Sequence, residues 1–438
     1  MEALVEQRPL SAGDRVALLV PGSHEYVDAV LRLLTAGVFP IPLDPRLTDS
    51  EQERILAGLA PTRIVRSAAD LADLVDVLPE AGLPLGRPMH CTSGTTGVPK
   101  GVFSGVLSEP DARALLADER DLWGFSADDV NLVLSPLYHS APLRFAMGTL
   151  LAGGRIVGLD ELDQRSGFDP ARITETIARE RPTTMFCVPT HLQRLFEHWD
   201  THGAPDLSCF RLVAHAGAPC PTDLKRRLIE AFPEGSTWEF YGSTEGQFTA
   251  CRSEEWVERP GTVGRARPGR SLSLDADGTI WCTVPDFARF TYFNEPAKTA
   301  ATWRTTAEGP AFTVGDVGRI DDDGYLFLDG RREDLVISGG VNVYPTEVEQ
   351  VLGTCPGVAD IAVYGVDDSR WGQRVCAAVV GTADADALDR FAREHLAPPK
   401  RPKDYVLLDA LPRTLTGKVR RNELVAGHPA VSSDPSDA

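Results

Sequence analysis

The sequence predicts an α/β fold: a large N-terminal α/β domain of mixed sheets plus an antiparallel β region, followed by a small C-terminal α+β domain. Three observations carry this. Strand-length apolar runs alternate with helical periodicity as far as Arg270, short strands broken by turns take over from Ser271, and a compact alternation resumes after Arg331.

Residues 14–20 form a buried strand by their apolar run. Ser23 then offers an oxygen to the free N–H groups of a helix whose Val27, Val30, Leu31 and Leu34 share one face, and Gly37 stops it. Residues 38–43 close a strand–helix–strand unit at Asp44-Pro45. The order recurs where Asp169-Pro170 opens a helix through Ile173 and Ile177 and residues 183–188 make the next strand. Helical periods at 190–198 and 222–232 flank a strand at 210–214, and 238–241 is another strand. Beyond Ser271, Asp277-Gly278 and Asp323-Gly324 are turn signals of an antiparallel region. Pro345 then starts a helix through Val348 and Val351, 361–366 and 374–380 are strands, 385–396 is a helix, and 427–438 is a frayed tail.

With 438 residues, the chain exceeds one ordinary core, and 42% hydrophobic against 24% charged residues supplies real cores rather than disorder. The net charge of −19 repels phosphate backbones and anionic lipid, so nucleic acid is not an expected partner. No membrane span or signal peptide is evident, and a cytoplasmic protein fits best. The eight cysteines show no C-x-x-C pair or zinc-type spacing and are expected to be buried free thiols.

The segment Cys91-Thr92-Ser93-Gly94-Thr95-Thr96-Gly97-Val98-Pro99-Lys100-Gly101 concentrates hydroxyls, glycines and a lysine in one loop. Backbone N–H and side-chain O–H groups can converge there on phosphate oxygens while the lysine adds a point charge. Pro99 stands where a Walker loop needs glycine, so another type of nucleotide loop is implied. The run Gly242-Ser243-Thr244-Glu245-Gly246 is one residue out of register for a hydrolase elbow, and no dinucleotide fingerprint follows a strand.

Residues 92–101 closely resemble the phosphate-binding signature of the adenylate-forming superfamily, which holds acyl-CoA synthetases, carrier-protein adenylation domains and luciferases. Further segments match in order: Tyr138-His139-Ser140-Ala141-Pro142, Tyr241-Gly242-Ser243-Thr244-Glu245-Gly246, Gly315-Asp316-Val317-Gly318, residues 330–349, and a C-terminal lysine loop at 411–418. The resemblance runs from Gly13 to about Leu424, with less chain before Gly13 and between Val65 and His90 than the family pattern has.

The resemblance implies ATP and Mg²⁺ as cofactors, with coenzyme A as acceptor. ATP is expected to meet Thr92, Ser93, Gly94, Thr95, Thr96, Gly97 and Lys100 through its phosphates. Tyr241 stacks on adenine opposite Gly217-Ala218-Pro219, and Asp316 and Arg331 hold the ribose region. Thr244 bonds a phosphate, Glu245 holds Mg²⁺, and Lys418 neutralises charge as pyrophosphate leaves. His139 is a gate beside the acid, whose pocket wall includes Ala214, His215 and Gly242. Gly339 and Gly340 belong to a thiol tunnel, and Glu333 is the hinge residue. The implied domains are 1–330, a hinge at 331–335, a mobile lid at 336–425 and a tail at 426–438.

The leading expectation is an acid–CoA ligase acting on a small organic acid, with fatty and aromatic acids both open. The alternative is a stand-alone biosynthetic adenylating enzyme that loads a carrier protein, an amine or another nucleophile, including the nitrite-activating diazotase type. A homodimer is left open.

Overall fold

In the computed structural model, which describes residues 8–92, 100–159, 168–331, 334–338, 341–368, 371–413 and 419–429, the first strand–helix–strand unit forms as its apolar pattern requires. Strand Arg15–Leu18 lies parallel to Phe39–Pro42 on one side and to Arg63–Val65 on the other. Between the first two runs helix His24–Thr35, capped by Ser23, whose hydroxyl accepts from the N–H of Tyr26. Its Val27, Val30, Leu31 and Leu34 are buried. Gly37, at φ +69°, turns the chain directly into the second strand, a conformation in which a side chain would be strained.

The largest sheet has seven strands, in the order Arg265–Ala266, Thr249–Arg252, Thr237–Glu239, Leu212–His215, Thr184–Cys187, Val130–Val133, Arg155–Val157. The last five are parallel and the first two join antiparallel. Because strand residues alternate between faces, each strand feeds two cores. Met185, Cys187 and Val213 meet Ile173, Ile177, Leu192, Phe196 and Leu228 from helices Pro170–Glu180, Pro189–His202 and Thr222–Ala231. Phe186, Leu212 and Ala214 meet Trp123 and Phe145 from helices Glu109–Trp123 and Ser140–Leu151.

The antiparallel region forms a sheet ordered Ser271–Leu274, Ile280–Thr283, Gly309–Phe312, Trp303–Thr306, with Gly278 at φ +78° in its first turn. A small sheet joins Thr291–Tyr292, Lys100–Phe103 and Cys91–Thr92.

The chain divides into two compact units, Met1–Ser273 with Trp281–Val314, and Leu274–Ile280 with Gly315–Ala438. In the second, hairpin Asp316–Ile320/Leu326–Arg331 packs against helix Pro345–Leu352. Strands Val358–Asp368 and Gly372–Gly381 form its antiparallel centre, and Asp404–Leu407 adds in parallel. Helices Pro345–Leu352 and Ala385–His395 supply Val348, Leu352, Leu388 and Ala392 to the core. All eight cysteines are free, five of them buried. Among the described residues no helix is long and apolar enough to cross a membrane.

Candidate active site

Ligand crevices in parallel sheets open at the carboxyl ends of the strands. Here Leu212–His215 and Thr237–Glu239 are neighbours, with Glu239 opposite His215. The chain leaves the first through Gly217-Ala218-Pro219 and the second through Tyr241-Gly242, so the two expected walls of the adenine slot emerge side by side. Gly217 takes φ +92°. Tyr241 donates its N–H to Thr249 Oγ1 at 3.1 Å, and its ring lies 4.8 Å from that of Phe248. Gly242 bridges to Gln247, and a Cβ there would come within 2.9 Å of Gln247 Cα and Gly246 O, which only glycine avoids.

Thr92 and Lys100 are register partners at the base of the expected phosphate loop; Ser93, Gly94, Thr95, Thr96 and Gly97 lie outside the described residues. The Lys100 ammonium is 3.8 Å from the Glu295 carboxylate. Strand Lys100–Phe103 pairs Val102 with Tyr292, whose hydroxyl donates to Glu245 Oε1 at 2.7 Å. Arg87 donates to the carbonyls of Glu245, Ala288 and Arg289, each at 3.3 Å, and although burial lowers its pKa to about 10 it stays charged at neutral pH. The loop base and Glu245 thus share one frame, with Thr244 partly buried beside it. Glu245 is only 6% exposed and Tyr292 takes one of its oxygens, which leaves Oε2 for a hard cation: the residue fits Mg²⁺ as a single-oxygen ligand.

His139 is the N-cap residue of helix Ser140–Leu151 without a side-chain cap bond, its ring 4.4 Å from that of Tyr138. Arg46, held by Asp44 at 3.0 Å, donates to the Tyr138 hydroxyl at 2.6 Å. His90 Nδ1 meets the Tyr138 carbonyl at 3.2 Å, so that nitrogen carries the proton, and burial holds the ring neutral by lowering its pKa to about 3.

Ala214 sits in the aromatic cluster with Phe145, Phe186 and Phe240. His215, expected beside it in the pocket wall, is on the opposite face and wholly buried, because adjacent strand residues point to opposite sides. Burial holds its pKa well below the ordinary value, and neutral Nε2 receives a hydrogen bond from the equally buried Lys225, whose ammonium is 3.4 Å from Glu239.

In the second unit Asp316 is the register partner of Arg331 and is 8% exposed. Glu333, Gly339, Gly340 and Lys418 lie outside the described residues. Ser338 and Val341, which flank the glycines, are register partners. Arg413 bridges to Val419 across the lysine segment and pairs with Asp360 at 2.7 Å. Cys376, Asp404 and His428 converge as a metal trio would, yet Arg374 pairs with Asp404 at 3.0 Å and burial raises the Cys376 thiol to about 12, so a cation already fills that role.

Sequence reasoning missed Arg87, Tyr292, Arg144 and Gln247. None belongs to a chemical motif read along the chain; only long-range pairing brings Tyr292 to Glu245 and Arg144 to Gln247, whose Oε1 accepts at 2.9 Å.

Known proteins share this fold. The pattern of the AMP-binding enzyme family matches residues 89–289, and that of the AMP-binding enzyme C-terminal domain matches 347–418. Feruloyl-CoA synthase from Amycolatopsis sp is 34% identical, over 94% of this chain and 88% of its own. This chain belongs to the AMP-binding enzyme family. Among solved structures, ATP-bound MatB from Rhodopseudomonas palustris resembles this AMP-binding enzyme with a TM-score of 0.79 and 30% identity, covering 95% of this chain and 89% of that one. The amide bond synthetase McbA from Marinactinospora thermotolerans gives a TM-score of 0.79 at 25% identity, covering 96% and 91%. The AMP-binding enzyme described here is thus an adenylate-forming acyl-CoA synthetase in class, an AMP-forming ligase.

Proposed function

We propose that this enzyme activates a small organic acid with ATP and passes the acyl group to coenzyme A. The observation that best supports the reading is the shared frame of the phosphate-loop base, buried Glu245 and the paired strand ends that carry Tyr241 and Gly217-Ala218-Pro219. In the first step a carboxylate oxygen attacks the α-phosphorus and pyrophosphate leaves. In the second, the thiol attacks the acyl carbon of the mixed anhydride and AMP leaves.

Thr92, Ser93, Gly94, Thr95, Thr96, Gly97 and Lys100 hold the phosphates in this reading, with Thr244 as a further donor. Tyr241 and Gly217-Ala218-Pro219 hold adenine, and Asp316 with Arg331 the ribose. Glu245 would hold Mg²⁺, which supplies charge neutralisation at the phosphates when bound. Lys418 stabilises the leaving charge. His139 orients the carboxylate beside Ala214 and Gly242, Gly339 and Gly340 admit the thiol, and Glu333 is the hinge residue.

The test is an assay of ATP, Mg²⁺ and an acid panel with and without coenzyme A, following AMP, pyrophosphate and acyl adducts by mass spectrometry. Acyl-CoA formed with stoichiometric AMP is the expected result. AMP release indifferent to coenzyme A would turn the second step toward a carrier protein or an amine, the reading that likeness to an amide bond synthetase favours. An enzyme that forms neither product with any acid, nitrite included, does not have this function.

Tyr292→Phe removes the hydrogen bond that orients the Glu245 carboxylate and should raise the Mg²⁺ concentration for half-maximal ATP binding about 10-fold, the scale of a hydrogen bond to a charged group. Fluorescence titration of nucleotide binding against Mg²⁺ reads this directly, and an unchanged Mg²⁺ dependence would detach Tyr292 from the metal ligand.

A further inference from the structure

A cluster of buried charges behind the expected acid pocket does not balance. Helix Glu109–Trp123 carries Asp118 and Glu119. Asp118 pairs with Arg267 and Arg270, both at 2.8 Å, while Glu119 is shared by Arg267 at 3.0 Å and Arg144 at 3.3 Å. Three guanidinium groups thus face two carboxylates, and buried Arg87 with Glu245 adds one charge of each sign beside them, so cations still exceed carboxylates by one. The side chains of Arg267 and Arg270 are 2% and 5% exposed, that of Arg144 is 25% exposed, so Arg144 presents the surplus charge where a ligand can reach it.

The position of Arg144 ties that charge to the acid. It projects from helix Ser140–Leu151, whose N-cap is His139, and donates to Gln247, the bridge partner of Gly242. Its guanidinium lies 5.3 Å from the Phe240 ring centroid, within the cluster that holds Ala214. Its Nε is buried against Glu119 Oε2 at 3.3 Å, and one terminal nitrogen serves Gln247. A surplus cation that is partly exposed and bordered by three of the expected pocket residues is suited to a carboxylate. The cluster beneath is filled by close aromatic pairs, Phe145 with Phe186 at 5.7 Å and Phe186 with Phe240 at 5.8 Å, which favours a short acid over a long chain.

We propose that Arg144 is a specificity-determining residue that binds a second anionic group on the substrate, so that the enzyme activates short dicarboxylic acids in preference to monocarboxylic acids of equal length. This rests on the adenylation reading above. The reacting carboxylate meets ATP while the distal one meets Arg144, whose surplus charge it neutralises.

The experiment is acid-dependent ATP–pyrophosphate exchange with succinate and glutarate against butyrate and valerate, for the wild type, Arg144→Gln and Arg144→Lys. The wild type should favour the diacids, and Arg144→Gln should lower their kcat/KM about 10- to 100-fold, the worth of a charge-assisted hydrogen bond, and shrink the ratio of diacid to monoacid kcat/KM by a similar factor. Arg144→Lys should recover part of the loss. A wild type that prefers the monoacids, or an Arg144→Gln protein with unchanged melting temperature that loses both acid types equally, overturns the proposal. Should Arg144→Gln fail to fold, wild-type melting with a non-hydrolysable ATP analogue decides: succinate must stabilise more than butyrate. Exchange with aromatic or fatty acids alone sinks the role of Arg144 and leaves adenylation standing, whereas no exchange with any acid sinks adenylation itself.

Discussion

Lys418→Ala should lower acid-dependent ATP–pyrophosphate exchange about 100- to 1,000-fold, the range seen when one group that stabilises developing charge is removed. Transfer of the acyl group from preformed acyl-AMP to coenzyme A should stay within a few-fold of wild type. The asymmetry follows from where charge moves. In the first step negative charge builds on the bridging oxygen and pyrophosphate as the α-phosphorus is displaced, and a positioned ammonium lowers that barrier. In the second step no pyrophosphate leaves. The lysine segment is closed at its base by the Arg413–Val419 bridge and the Arg413–Asp360 pair, so Arg413→Ala should weaken the first step in the same direction and to a smaller extent. Single-turnover assays of the two steps separate the outcomes; equal losses in both would remove Lys418 from the role assigned.

Local rules made much of the fold legible. Ser23, Gly37 and Asp169-Pro170 start or stop helices where they act as caps and turns in the structure, because capping depends on a few adjacent residues. Helix Glu109–Trp123 escaped notice for the converse reason: it buries only Ala112 and Trp123, so its apolar period is faint, and its polar residues serve ion pairs with distant arginines. Helix Ala68–Asp76 carries one local signal, its Ser67–Asp70 capping box, and buries only Leu71 and Leu74.

The same division holds at the site. The segments proposed to hold phosphate and adenine are contiguous motifs, since each such group needs several partners within one turn of chain. Tyr292 and Arg87 act on Glu245 from strand pairings and loop contacts up to 158 residues away, for which sequence carries no local mark. His215 is a different case. Ala214 and His215 are consecutive in one strand and face opposite sides of the sheet, so their side chains join different clusters. The His215 ring meets a buried polar cluster with Lys225 and Glu239.

That cluster sets the second large effect. Lys225→Met should destabilise the large unit by about 3–5 kcal/mol at pH about 8, the cost of removing one partner of a buried charge pair. Lys225 and His215 are fully buried and Glu239 is 7% exposed, so water cannot replace the lost ammonium. Burial already raises the pKa of Glu239 despite the neighbouring lysine, and without that lysine it must rise further. The sign of the pH dependence follows. A carboxyl whose folded pKa exceeds its unfolded value supports the fold below the unfolded value and ceases to do so as pH rises through the folded one. The gap between wild type and variant should therefore be widest at alkaline pH and narrow toward pH about 4, near the ordinary glutamate value. His215 adds no titration in this range, because burial keeps it neutral. Thermal unfolding across pH measures the gap, and adding Glu239→Gln to Lys225→Met should recover most of it, since the uncompensated charge is then gone. A gap that is flat with pH and unrelieved in the double variant would mean that Lys225 contributes packing alone.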